Sequence, residues 1–517
     1  GDYTLANNID LSSGMTNASE VWGTNRGTSG SGFSPIGTSP FFTGKFDGDN
    51  NIISNLYINT NLFTTGLFAA VSGTLQNIGL TDIDVSNNYT GTSTNTAVGG
   101  LVGTLNNSGT VTNSYTSGTV TSTSASSGAP AYAYSGGLVG YNYGTISDSY
   151  NLADVSMSAQ TGNSRASAGG ISGINFSNTG VSRSYNAGDI TLNYLSGTGQ
   201  LFTGGIVGFS TGGFITNTYN TGHITSSGTP TLAATNATGG LAGFQDNGSI
   251  NFSYSSGMVT ATNNYFAGAF IGNSTSGSYS SNLVDTGSAG IAGAIGTGSG
   301  NSTTLANVTQ GTFDGSSGVN LSQKQTYIDE GWTDNTVISS TVSATAITPT
   351  ATWFIFEDAT RPLLMMEHKT TILNAHQLQL MATTLAGQYT LANDINLGLP
   401  LNNPADVWGS RASVGSGAGF IPIGNVTTGY FTGTFDGQNH LINNLYINRP
   451  TTAQVGLFGA ANDPSGIQDL GLANVSVTGQ SQVGGLIGQN YGKLYNVYVN
   501  GGTVIGSQDT SSGVHIG

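Results

Sequence analysis

A five-residue element, Gly-Gly-aliphatic-x-Gly, returns along this chain at nearly constant spacing. GGLVG ends at Gly103 and again at Gly140, GGISG at Gly173, GGIVG at Gly208 and GGLAG at Gly243. The second glycines, Gly100, Gly137, Gly170, Gly205 and Gly240, therefore step by 37, 33, 35 and 35 residues, and a degenerate copy, GAFIG, ends at Gly272. A repeat of this length is a single supersecondary unit that cannot bury its own apolar face, so copies must stack and bury it between them.

Two further elements keep the same phase. A turn and an alternating strand end at Tyr115, Tyr150, Tyr185, Tyr219 and Tyr254, with steps of 35, 35, 34 and 35. A third short strand follows at Val120, Val155, Ile190, Ile224 and Val259. Alternation over four to six residues between Asn and Gly predicts short strands separated by turns. Leu101, Leu138, Ile171, Ile206 and Leu241 are expected to point inward, one above another at the strand spacing of about 4.8 Å. The glycines are expected to supply positive φ at the corners. Corner asparagines are expected to stack as hydrogen-bonded ladders.

Composition agrees with a turn-dense β architecture. The chain has 80 Gly and only 7% charged residues, yet 37% of it is apolar, enough surface to offset the entropy of ordering. The net charge of −15 rests on 25 acids and 10 scattered bases, which argues against nucleic acid or an anionic membrane as partner. No apolar run approaches the roughly 18–20 residues of a membrane span. The absence of Cys excludes a disulfide scaffold and a Cys-ligated metal.

A longer period lies over the short one. Residues 41–59, FFTGKFDGDNNIISNLYIN, return as YFTGTFDGQNHLINNLYIN at 430–448, an offset of 389. YTLANNIDL from Tyr3 returns from Tyr389, and Val21-Trp22-Gly23 as Val407-Trp408-Gly409. Three regions follow: a first β-helix module over 1–319, a cap and linker over 320–386, and the start of a duplicated module over 387–517. The Gly-free run HQLQLMATTLA from His376 suits a short helix with Leu378, Leu380, Met381 and Leu385 on its apolar side, as a cap over an open solenoid end would need.

These pieces, with VGLFG, VGGLIG and WFIFEDATRPLL at 353–364, resemble the GLUG-repeat modules of large bacterial exoproteins related to filamentous haemagglutinin and exported by two-partner secretion. The resemblance implies an all-β, right-handed parallel β-helix, or β-solenoid, of ~35-residue repeats. It further implies export through an outer-membrane transporter and a secreted or bacterial cell-surface location, with roles in adhesion, filaments or biofilm matrix. It carries no catalytic, cofactor-binding or metal-ligating residue to transfer.

Motifs that suggest chemistry each have a plainer origin. Asp47-Gly48-Asp49 opens like a calcium loop, but its Gly and Glu positions fall on Ile52 and Ile58, so a turn is expected. Gly208-Phe209-Ser210-Thr211-Gly212 matches a nucleophile elbow but precedes a strand rather than a helix. His-Glu-x-x-His does not occur. The enzyme alternatives are a β-helix polysaccharide lyase or hydrolase, or the non-catalytic repeat region of a larger secreted peptidase. A hydrolase needs paired carboxylates, and only Asp154 and Asp189 share a phase; the acids are expected to sit apart on the surface with ordinary pKa values.

The run after the third strand varies most, and stacking aligns it along one side of the rod. Tyr132, Tyr134, Tyr194, Phe202, Tyr265 and Phe266 in these runs are candidate contacts for glycans or proteins; the plainer reading has them stacking on each other. The expected function is non-catalytic: an extended extracellular rod for attachment to host-cell or bacterial surface glycans and proteins, or for self-association into fibres, without cofactors.

Overall fold

The computed structural model describes residues 1–17, 19–22, 30–90, 95–124, 131–159, 163–176, 179–195, 199–228, 236–262, 266–296, 307–316, 318–343, 350–409, 417–462 and 466–507. The chain forms two compact units, Gly1–Thr312 and Phe313–Gly517.

The first unit is a parallel β-helix. One coil runs through the strands Thr96–Gly99, Val102–Leu105, Thr110–Thr112 and Tyr115–Ser124. Each strand pairs in parallel with its equivalent one coil on. Val102 faces Val139, which faces Ser172, then Val207, Ala242 and Ile271. The strands that precede the Gly-Gly corners form a seven-stranded sheet from Thr64–Thr65 to Phe266–Gly268, and the remaining strands form a second sheet of 27 strands. Helix between residues 3 and 281 is limited to Ser12–Thr16 among the described residues.

The phase read from sequence is the phase of the core. Leu101, Leu138, Ile171, Ile206 and Leu241 are fully buried in one apolar cluster, joined by Val120, Val155, Ile190, Ile224 and Val259. Burying one such side chain contributes about 1.5–3 kcal/mol, and every coil supplies several. The tyrosines stack as a column: Tyr115, Tyr150, Tyr185, Tyr219 and Tyr254 have successive ring centroids 4.8, 4.9, 4.8 and 5.0 Å apart, with planes within 9° of parallel.

Directly after this column lies a buried asparagine ladder. Asn151 Nδ2 donates to Asn186 Oδ1, and Asn186 Nδ2 donates to Asn220 Oδ1, both at 2.8 Å. The same Nδ2 atoms donate to the carbonyls of Ala153 and Gly188 within their own coils. Directly before the column, Ser149 Oγ accepts from Ser114 N and Ser184 Oγ from Ser149 N, at 3.1 and 3.2 Å. Buried amides at the corner are thereby satisfied from the neighbouring coil.

Gly118, Gly212 and Gly248 hold positive φ as expected of turn glycines, but the Gly-Gly pairs serve a different purpose. Positive φ at the recurring corner is held by Asn77, Asn113, Asp148, Arg183, Asn217, Phe252 and Ser281, with φ between 43° and 57°. The Gly-Gly glycines are needed because coils approach too closely for a side chain. A β-carbon on Gly137 would stand 2.1 Å from Asn151 Oδ1, and one on Gly205 would stand 2.2 Å from both Gly240 O and Asn220 Cγ.

The second unit opens the same way as the first. Tyr389 pairs with Phe435 and Ile395 with Ile442, as Tyr3 pairs with Phe46 and Ile9 with Ile53. Residues 320–386 lie within this unit. The helix Ala375–Leu380, capped by the Asn374 side chain on Gln377 N, continues as a 3-10 turn, Met381–Thr383. Leu378, Leu380, Met381 and Leu385 are fully buried, and the rest of the helix is buried as well. Upstream, Trp332 and Trp353 are also fully buried, their ring centroids 4.9 Å apart.

Candidate functional site

On strand Ala131–Gly136, Ala133 points into the core, so Tyr134 points to the opposite face. The register sets Tyr134, Ser167, Phe202, Ala237 and Phe266 in one row. Past the Gly-Gly corner a second row forms from Tyr141, Ile174, Phe209, Phe244 and Asn273. The two rows pack across the corner as an apolar seam separate from the rod's core. Tyr134 meets Tyr141 edge to face at 5.1 Å, and Phe202 stacks on Phe209 at 5.1 Å.

The seam has a cation and a half-open end. The Arg165 guanidinium lies 3.9 Å from the Phe209 ring centroid and 5.6 Å from those of Phe202 and Tyr132. Its Nε and Nη2 donate to Gln200 Oε1. Tyr143 stacks on Phe176 at 4.4 Å, and the hydroxyls of Tyr141 and Tyr143 are 2.6 Å apart. Tyr132, Tyr141, Tyr143, Phe176 and Arg165 all remain half-buried. Burial, with the Tyr143 hydroxyl next to it, pushes the Tyr141 phenol well above its ordinary value. Ring faces beside a guanidinium can hold the C–H faces of a sugar or another aromatic group.

Of the six candidate contact aromatics, Tyr132 is half-exposed at the seam. Tyr134, Phe202 and Phe266 are buried, because the rows on either side of the corner cover one another. Tyr194 is also buried; its side chain belongs to the core, and its hydroxyl accepts from Gly199 N at 2.9 Å. Tyr265 lies outside the described residues. The sequence reading missed Tyr141, Tyr143, Phe176 and Arg165. One signal was available for Tyr141: after four of the five Gly-Gly-aliphatic-x-Gly elements comes a large apolar or aromatic residue, Tyr141, Ile174, Phe209 or Phe244, and only the first is followed by Thr104.

The acids are less scattered than expected. Asp154 and Asp189 occupy successive coils, where Asp154 Oδ1 accepts from Asp189 N at 3.0 Å and Asp189 Oδ1 accepts from His223 N at 2.9 Å. The Asp154 carboxyl sits above its ordinary range. Partial burial raises it most, the hydrogen bond from Asp189 N opposes, and the Asp189 charge adds. Asp47 closes a turn: its Oδ1 accepts from Asp49 N at 3.0 Å and from Asn77 Nδ2 at 2.8 Å. Ser210 of the elbow-like motif is fully buried on the strand Val207–Thr211. Among the described residues no group of three or more His, Asp or Glu is placed to hold a metal ion, and no helix is long and apolar enough to cross a membrane.

A buried ionic cluster lies in the second unit. His376 is held between two carboxylates, with Nδ1 2.9 Å from Glu367 Oε2 and Nε2 2.7 Å from Asp406 Oδ1. Burial opposes the imidazolium, but Asp406 and Glu367 outweigh it and push the pKa up to about 10. Arg361 donates beside it to the carbonyls of Pro404, Ala405 and Asp406. With both ring nitrogens engaged and the site closed, this cluster fastens two chain segments together rather than offering a base to a substrate.

Stacked coils of about 35 residues, with one phase for the core and another for an outer seam, define a β-solenoid repeat protein. The GLUG motif is matched at residues 131–156 and 479–505, the first of which runs from the Tyr134 strand through the Gly-Gly corner to Val155. Halomucin of Haloquadratum walsbyi is 29% identical over 189 residues, a match that takes in 35% of this chain and 2% of halomucin. A solved candidate immunoglobulin A1 protease from Bacteroides ovatus is 20% identical, with 54% of this chain and 78% of the other covered at a TM-score of 0.34.

Proposed function

We propose that this chain builds a non-catalytic rod at or outside the cell surface, which attaches to surface glycans or proteins, or to copies of itself, through the aromatic seam. The seam carries the reading: at one end it keeps the rings of Tyr132, Tyr141, Tyr143 and Phe176 and the Arg165 guanidinium half-open, a contact surface that adds no chemistry. The GLUG motifs and the likeness to halomucin support an extracellular place. The finer assignment, to filamentous-haemagglutinin-like exoproteins exported through an outer-membrane transporter, belongs to the same proposal. Glycan-array binding by the purified chain tests the reading. Tyr143→Ala and Arg165→Ala should each weaken binding severalfold, and unchanged binding in the double variant would refute the seam.

A second reading, glycan hydrolysis, draws on the Asp154 and Asp189 pair, where one carboxyl is raised beside another, as an acid and base would require. Release of reducing ends from acidic or neutral polysaccharides, abolished by Asp154→Asn, would establish it in place of the first.

A further inference from the structure

The two modules open with the same residues, and the structure treats them differently. Tyr389 and Val407 of the second module are 1% and 0% exposed, whereas their counterparts Tyr3 and Val21 are 58% and 88% exposed. Ile395 and Trp408 are buried, whereas Ile9 is exposed and Trp22 half-buried.

What covers the second module is visible. Thr371–Ile372 adds a parallel strand to Gln388–Leu391, which pairs on its other side with Thr434–Asp436. Gln379 Oε1 accepts from Trp408 Nε1 and from Ile421 N, at 3.1 and 3.0 Å. Tyr389 donates its hydroxyl to Thr384 O at 2.8 Å. Asp406, next to Val407, is the carboxylate that receives His376. In the first module the strand Tyr3–Thr4 pairs with Lys45–Asp47, and a carboxylate, Glu20, stands beside Val21 where Asp406 stands beside Val407.

We propose that the end of the first module, formed by Tyr3, Ile9, Glu20, Val21 and Trp22, is a docking face for a cap of the same construction as residues 353–386, contributed by another module. Glu20 takes the place of Asp406 beside the cap's buried imidazolium. The face has the strand edge, the indole and the carboxylate that the cap engages on the second module, in the same order along the chain. This surface lies at the rod's end and is independent of the seam along its side.

The test is the full chain with a second copy of residues 313–386 joined to Gly1, which reproduces the Ala386–Gly387 junction. Amide hydrogen exchange at Thr4, Val21 and Trp22 is then compared with that at Thr390, Val407 and Trp408 in the same molecule. The added cap should slow the first set at least tenfold, toward the second, and Glu20→Lys should reverse this without affecting the second set. Two results would overturn the proposal: unchanged exchange at Thr4, Val21 and Trp22 while Thr390, Val407 and Trp408 stay protected, or concentration-dependent protection in the chain without the added cap, which would assign the face to a second copy.

Discussion

Gly170 leaves empty the space that Asn186 fills: a β-carbon on Gly170 would stand 2.2 Å from Asn186 Cγ, and equally 2.2 Å from Gly205 O of the next coil. The Gly-Gly corner and the asparagine that follows the tyrosine column are thus two halves of one packing solution, although they lie 16 residues apart. Gly170→Ala should destabilise the first unit by at least about 1–3 kcal/mol, the usual cost of overpacking. Adding Asn186→Gly should give no rescue, because the carbonyl of Gly205 remains in the way. Urea midpoints decide this; recovery in the double variant would show that the side chain alone sets the requirement.

Asn186 itself accepts from Asn151 and donates to Asn220 and to Gly188 O, all while fully buried. Replacement by Ala strands three buried partners, and a loss of about 3 kcal/mol is expected from the cost of unpaired buried polar groups. A loss below about 1 kcal/mol would mean that the ladder is ornamental.

The tyrosine column offers a contrast within one phase. Tyr185 stacks on both neighbours and is fully buried, so Tyr185→Ala should cost about 3–5 kcal/mol. Tyr115 begins the column, and its buried hydroxyl has no hydrogen-bond partner among the described residues. Tyr115→Phe should therefore be neutral or stabilising by up to about 1 kcal/mol, since it removes an unmet polar group and keeps the ring. Thermal unfolding of the two variants side by side checks the pair.

His376 makes the second unit pH-sensitive on the alkaline side. Its folded pKa, about 10, lies above the ordinary 6.5, so the bound proton stabilises the fold. That stability is fully present below about pH 6.5 and is lost as pH rises through 10. The melting temperature of this unit should fall steadily across that window. His376→Gln should flatten the slope and, by removing the cation between two buried carboxylates, lower stability at pH 6 by about 3–5 kcal/mol.

Arg183 holds φ at 43° and pairs with Asp148 through Nε and Nη2 at 2.6 and 2.7 Å. The pair is exposed to solvent and contributes at most about 1 kcal/mol. Asn tolerates the left-handed region better, so Arg183→Asn should leave stability within about 0.5 kcal/mol of the parent. A large loss would locate unexpected stability in that ion pair.

Core residues were legible in the sequence because a solenoid turns spatial position into sequence phase: knowing Leu101 gives Leu138 and Ile171. The asparagine ladder was readable for the same reason. The purpose of the glycines was not, since whether Gly137 is there for torsion or for clearance depends on Asn151 and on a neighbouring coil. Arg183 and Phe252 further disguised the left-handed position, being residues seldom found there. The fate of Tyr134 and Phe202 depended on Tyr141, Phe209 and Phe244 lying across a bend, and strand alternation alone cannot tell an outward ring that meets water from one that meets another ring.

The asparagine, serine and tyrosine columns also bear on how the rod would respond to force. Each coil is fastened to the next by nearly the same set of contacts, so pulling on one end meets the same resistance again and again instead of a single yield point. Peeling one coil of about 35 residues would release roughly 120 Å of extended chain. A rod built this way lengthens in steps and absorbs work at each of them, which suits a tether that has to survive shear.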